Sequence, residues 1–240
     1  MGSFNTSAWN NVAIGAGGTN SAAASIFAPA TLSDDSGATA ATLTSTLAGG
    51  ASTATWFGGY AASAALIEAE LTNGISDDNL FNSYLALNGP NGDGSPQDNF
   101  LLDIAGLGAA FTANGYDLII YSETDRGGVG VNSNGARTSV FTVTEGGGTV
   151  STALTEDDNA APRTFDGTYV LSDGDGAGTN YSNYTVISGL SASAFTLEVT
   201  SPNGGRGGIS GFQIVAAVPE PSSLVTLAFI GLTTLGRRRR

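Results

Sequence analysis

The sequence predicts an all-β protein, a jelly-roll-like β-sandwich with one short helix, followed by an apolar, helical C-terminal tail. Three observations carry this. Glycine, 35 of 240 residues, joins Asn, Asp, Ser and Thr in turn-forming clusters, spaced about ten residues apart as the strand-and-turn pattern requires. Between the clusters lie short runs that either alternate apolar with polar or are apolar throughout. Many short strands at regular spacing, joined by Gly-rich turns, describe a sandwich or barrel.

The elements follow in chain order. Asn11–Ile14 and Ala41–Leu47 are the first candidate strands. Ala61–Leu71 is ambiguous, because its alanines favour helix while its surroundings favour strand. Asp78–Leu85 reads as the helix: Leu80, Phe81, Tyr84 and Leu85 fall on one face behind a Ser76/Asp77 cap. Phe100–Ile104 is a further strand. Tyr116–Tyr121 is nearly continuous apolar, the signature of a central strand covered on both faces. Ser139–Thr144, Thr164–Leu171 and Tyr184–Ile187 are strand candidates, with Asn88–Asp98 and Thr144–Arg163 as long loops. Phe195, Leu197 and Val199 alternate with Thr196, Glu198 and Thr200, a half-buried strand, and Gly211–Val215 behaves likewise. No internal repeat or long linker divides residues 1–217, which are expected to form the sandwich domain ending near Ala217.

Composition narrows the chemistry. Residues 218–240 hold Glu220 and four of the eight arginines, which leaves twenty acidic residues against four arginines in the body, a net charge of −16. Lysine, histidine and cysteine are absent. Such acidity argues against nucleic acid as a partner, since phosphate binding draws on clustered Lys and Arg, and it suits a surface protein kept apart by like-charge repulsion. Without cysteine the domain has no disulfide staples and depends on its core. Without histidine or cysteine there is no Ser-His-Asp triad, no thiolate nucleophile and no His/Cys zinc site. Schiff-base lysine chemistry is likewise missing. A carboxylate pair is the remaining catalytic route, with Glu123 and Asp125, or Glu68 and Glu70, as candidates. In a chain this acidic the bland reading is solvated surface carboxylates, and a non-enzymatic protein is expected.

Two binding chemistries have candidates. Asp173, Asp175 and Asn180 space oxygen ligands along a Gly-rich loop, which suits a structural Ca²⁺, although the distal Glu of a twelve-residue calcium loop is missing. Asp93, Asp98 and Asp157-Asp158 lie in comparable stretches, and Asp-Gly and Asn-Gly are also ordinary turn formers. No other cofactor is expected. Trp56, Phe57 and Tyr60, clustered around Gly58-Gly59, offer flat faces for sugar stacking, with Trp9 a further such face. Aromatics in a sandwich are more often core. Glu145-Gly-Gly-Gly148 is not a phosphate loop, because no lysine follows it and it opens no helix.

The tail is the most specific feature. Pro219 and Pro221 fix their own φ and lack N–H donors, so Val218, Pro219, Glu220 and Pro221 read as an extended spacer. Ser222–Gly236 has no charge and is mostly apolar, through Leu224, Val225, Leu227, Ala228, Phe229, Ile230, Leu232 and Leu235. As a helix it reaches roughly 22 Å at ~1.5 Å per residue, short of a ~30 Å hydrocarbon core. Arg237, Arg238, Arg239 and Arg240 extend it by snorkelling to the headgroups and form a positive cluster of the kind retained in the cytoplasm.

The Val-Pro-Glu-Pro step, the short apolar stretch and the arginine cluster, in that order, resemble the PEP-CTERM sorting signal of Gram-negative bacteria. The resemblance covers about a tenth of the chain. It implies export, temporary anchoring in the inner membrane through residues 222–236 with 237–240 as the cytoplasmic stop, and cleavage near Pro-Glu-Pro by an exosortase. Met1–Asn20 has no basic n-region or apolar h-region, so the secretory signal that such a tail needs is expected upstream of Met1. The runs Phe100–Leu107, Tyr116–Ser122, Tyr184–Leu190 and Ile209–Val215 resemble, more softly, the core of PEP-CTERM proteins with a galactose-binding-like sandwich.

The expectation is therefore a non-enzymatic exported protein of the envelope or extracellular matrix, associated with exopolysaccharide, with an exosortase and transiently the inner membrane as partners. A carbohydrate-binding module is the alternative, and a carboxylate-based glycan hydrolase or lyase stands behind it.

Overall fold

The computed structural model describes residues 10, 29–48, 56–59, 83–86, 99–122, 137–157, 168–174, 182–200 and 208–217, with the backbone alone at 47–48, 56–59, 83–86, 137 and 156–157. Its strands are β1 (Ala30–Ser33), β2 (Thr39–Ala48), β3 (Trp56–Gly59), β4 (Ser83–Ala86), β5 (Asn99–Ala105), β6 (Tyr116–Tyr121), β7 (Arg137–Glu145), β8 (Gly148–Asp157), β9 (Tyr184–Leu190), β10 (Ala194–Thr200), β11 (Gly208–Ile209) and β12 (Gly211–Ala216). One short helix, α1 (Ala109–Thr112), is the only helix among the described residues. The fold is all-β.

Three sheets form, with strand orders β1-β2-β5-β10-β7-β8, β12-β6-β9 and β11-β4-β3. Their strands pair antiparallel throughout. Side-chain alternation decides which face each sheet buries. In β10, Phe195, Leu197 and Val199 are buried while Thr196, Glu198 and Thr200 are half-buried. Phe100, Leu102 and Ile104 of β5, Phe141 and Val143 of β7 and Leu43 of β2 share one cluster with Tyr116, Leu118 and Ile120 of β6 and with Ile187 and Leu190 of β9. The six-stranded sheet and the β12-β6-β9 sheet thus bury one face each in a common core. Each fully buried side chain, such as Phe100 or Phe141 at 0 % exposure, contributes about 2 kcal/mol relative to an exposed one.

Turn chemistry sets the register. Gly146 and Gly147 join β7 to β8 with φ of 58° and 87°, the positive angles a two-residue hairpin needs to match strand twist. At the β1–β2 turn the Asp34 carboxylate accepts from the Ser36 N–H at 2.9 Å, the Ser36 hydroxyl at 2.6 Å and the Ala38 N–H at 3.0 Å. These donors, the Ser36 hydroxyl foremost, hold its pKa below the usual aspartate value against a smaller opposing desolvation. On β1, the edge strand, the Asn10 amide accepts from the Ser33 N–H and donates to the Ser33 carbonyl, both at 2.8 Å. It occupies the pairing positions a neighbouring strand would take.

The strands expected at Ala41–Leu47, Phe100–Ile104, Tyr116–Tyr121, Ser139–Thr144, Tyr184–Ile187, Phe195–Val199 and Gly211–Val215 are all present. Three expectations are corrected. Ser83–Leu85, the end of the expected Asp78–Leu85 helix, lies in β4, where pairing with β3 and β11 overrides the helical spacing. Thr144–Arg163, expected as a loop, begins with the β7–β8 hairpin through Asp157. Residues 168–171 of the expected Thr164–Leu171 strand form no ladder; Leu171 makes one isolated parallel bridge to Tyr184. Residues 78–82 and 164–167, Asn11–Ile14, Ala61–Leu71, Asn88–Asp98 and the tail 218–240 lie outside the described residues. Among the described residues no helix is long and apolar enough to cross a membrane.

Candidate functional site

The registers give the body two unlike ends. At one end Ser33 pairs with Thr39, Ala105 with Thr42 and Ala194, Glu145 with Gly148, and Tyr116 with Leu190 and Ala216. Here the connections are the Asp34–Ala38 turn, residues 106–115 with α1, the Gly146–Gly147 turn and Ser191–Ser193. At the other end lie Ala48, Asn99, Tyr121, Arg137, Asp157, Tyr184 and Thr200. The connections that start and finish there are 49–98, 122–136, 158–183 and 201–207. Long connections on a rigid sheet framework are where binding residues concentrate.

A cluster of three tyrosines stands at that second end. The rings of Tyr121 and Tyr169 lie 5.8 Å apart, edge to face, Tyr169 and Tyr184 6.1 Å apart, and Tyr121 and Tyr184 6.2 Å apart. Tyr121 is buried and donates its hydroxyl to Gln213 Oε1 at 2.9 Å, while Tyr169 and Tyr184 are half-buried. Leu171 and Val186, both exposed, extend the apolar surface along the same segments. Among the described residues, the outer face of the β12-β6-β9 sheet therefore carries aromatic and aliphatic groups at this end.

Buried polar groups fix this arrangement. Asn183, wholly buried, donates from Nδ2 to Thr168 O, accepts at Oδ1 from the Val170 N–H, and donates its own N–H to Val170 O, at 2.9, 2.9 and 3.0 Å. Its carbonyl accepts from the Ser122 N–H at 3.0 Å. One side chain thus seats Tyr169 beside β6 and β9. Alongside it, the Ser122 hydroxyl donates to Gly208 O at 2.7 Å, and the Gly208 N–H donates to Ser139 Oγ at 2.9 Å. With the Ser122 proton used, Ser139 donates across the 3.2 Å gap to Ser122 Oγ, closing the network.

The first end holds a different device. Glu145 Oε1 accepts from the Tyr116 hydroxyl at 3.1 Å and from the Ser191 and Ala192 N–H groups at 3.1 and 3.0 Å. Burial, then the Glu145 charge and its hydrogen bond, raise the Tyr116 pKa above the ordinary tyrosine value. A depression of about 350 Å³ at this end is lined by Thr39, Ala40, Ala41, Thr42, Ala105 and Gly106, none of them ionisable. On the outer face of the six-stranded sheet Asp103 accepts from Thr196 Oγ1 at 2.6 Å and Glu198 accepts from Asn99 Nδ2.

The residues singled out from the sequence are brought together only in part. Trp56 and Phe57 lie on β3, opposite Ala86 and Leu85 of β4, and Leu85 in turn lies opposite Ile209. Asp173 is described and exposed, whereas Asp175 and Asn180 lie outside the described residues, as do Tyr60, Trp9, Glu68, Glu70, Glu123, Asp125 and Val218–Arg240. Among the described residues no three acidic side chains gather in a metal-binding group. The sequence reading missed Tyr121, Tyr169, Tyr184 and Gln213 as a cluster; the aromatic ends of two strand-like runs were the available signal. No family model matches the chain, and neither the curated proteins nor the solved structures contain a significant match.

Proposed function

We propose that this is a non-enzymatic exported protein of the cell envelope or extracellular matrix, associated with exopolysaccharide and sorted through residues 218–240. The observation that carries the reading is the three-part tail: the Pro219-Glu220-Pro221 step, the uncharged apolar stretch 222–236 and the arginines 237–240. Its order fits a transient inner-membrane anchor with the step as the region an exosortase cuts. We read the two core-forming sheets as a jelly-roll-like β-sandwich that is the cargo of this signal. Net acidity supports an exposed, soluble body.

A carbohydrate-binding role is the second reading, favoured by the half-buried rings of Tyr169 and Tyr184 beside Leu171. Rings of this kind present an apolar face with a polar tip, the surface a sugar ring stacks upon.

Expression behind a supplied secretory signal tests the main reading. The chain carrying 218–240 is expected in the inner-membrane fraction, and the chain stopped at Ala217 in the soluble exported fraction. Equal partitioning of both would refute it.

A further inference from the structure

The geometry points to an orientation: while the chain is anchored, the end of the body that carries the short connections is the surface apposed to the lipid headgroups, and the tyrosine-bearing end points away. This rests on the anchoring role proposed for the tail.

The place where the chain leaves the fold decides which end is held. β12 runs antiparallel to β6, with Gly211 opposite Tyr121 and Ala216 opposite Tyr116. The Ala217 N–H then donates to Gly115 O at 2.9 Å, so the backbone is pinned up to that residue. Only Val218, Pro219, Glu220 and Pro221 separate Ala217 from the apolar stretch. Even fully extended, the five Cα steps from Ala217 to Ser222 span no more than about 18 Å, which keeps the Ala217 end close to the headgroup region. The Tyr121 end lies one strand further away, roughly 17 Å at ~3.4 Å per residue.

The composition of the held end suits that neighbour. Among the described residues its connections present Ala109, Ala110 and Ala113 as exposed positions, together with Gly146, Gly147 and Ser193. These are short, uncharged side chains that let a flat surface approach closely. Glu145, the acidic group beside Gly146, is occupied by Tyr116 and two backbone donors. Asp34 and Asp35, in the β1–β2 turn, are the carboxylates of its turns. A body of net charge −16 is repelled by an anionic bilayer. That repulsion is screened beyond about 8–10 Å, and among the described residues the 106–115, 146–147 and 191–193 connections add no carboxylate of their own to it.

The chain has no cysteine, which permits single-site labelling. Ala110→Cys and Leu171→Cys variants of the full chain, each bearing a donor fluorophore, are reconstituted into phosphatidylethanolamine–phosphatidylglycerol vesicles with a headgroup-linked acceptor. Ala113→Cys duplicates the first position. Transfer is expected to be several-fold stronger from 110 and 113 than from 171. Equal transfer, or stronger transfer from 171, in protein that floats with the vesicles overturns the orientation alone. Protein that fails to float overturns the anchoring reading and the orientation with it.

Discussion

The Tyr116 hydroxyl meets Glu145 Oε1 at 3.1 Å, joining the first residue of β6 in one sheet to the last residue of β7 in the other. The same carboxylate oxygen collects the N–H groups of Ser191 and Ala192. A single side chain therefore closes the end of the body where both sheets and the β9–β10 connection converge. Because Tyr116 also packs its ring 5.9 Å from Phe195 and 6.5 Å from Phe111, the contact is continuous with the core.

This contact predicts an alkaline transition. Folding raises the Tyr116 pKa, so the folded chain holds that proton more tightly than the unfolded one. The contribution is fully present below the ordinary tyrosine pKa of about 10 and is lost as pH rises from there through the raised folded value. Urea unfolding of wild type should show stability falling above that point, with a shallower fall in Tyr116→Phe. Identical slopes in the two proteins would rule the contact out as the cause.

Thr138 offers the opposite kind of test. Among the described residues its Oγ1 is the one buried side-chain polar atom with no hydrogen-bond partner. An unsatisfied buried hydroxyl costs about 1–3 kcal/mol, so Thr138→Val, which keeps the shape, should raise stability by roughly 1 kcal/mol. Its neighbour behaves differently. Ser139→Ala leaves the Gly208 N–H without its acceptor and should lower stability by about 1–3 kcal/mol. Chemical denaturation of both variants checks the pair, and a shared sign would contradict the assignment.

Gly115 sits at φ 83°, and a Cβ there would come within 2.9 Å of Leu190 O. Backbone cannot yield as a flexible side-chain tip does. Gly115→Ala is expected to lose about 1–3 kcal/mol and to disturb the Ala217 contact beside it. A melting temperature equal to wild type would show that the turn relaxes freely.

The edge strand β12 is needed by the body. Phe212 and Ile214 pack against the core, and β12 supplies the backbone partners on one side of β6. A chain stopped at Ala217 should melt cooperatively, whereas one stopped at Ser210 should lose its cooperative transition. Far-UV circular dichroism during heating reads both.

Much of the framework was legible because burial writes itself into period-two patterns. β5, β6, β10 and β12 each place large apolar groups on the core face, and their runs stand out in the sequence. β8 did not, because its alternation is written in Thr, Ser and Ala beside an exposed Val150. β4 was obscured by Leu80, Phe81, Tyr84 and Leu85, whose spacing fits a helix although Ser83–Ala86 pairs with two strands. α1 has neither an N-cap side-chain bond nor a buried residue to announce it. The tyrosine cluster joins Tyr121, Tyr169 and Tyr184 from three separate segments through Asn183, a pairing no local pattern encodes. Residues 218–240 lie outside the described residues, so the reading of the tail rests on its own sequence pattern alone.

Sorting and cleavage at the Pro219-Glu220-Pro221 step would be read from the intact mass of the protein recovered from the cells that make it. The mature chain is expected to end between Pro219 and Ser222 and to be released from the membrane. A soluble cytosolic species still ending in Arg240 would contradict it.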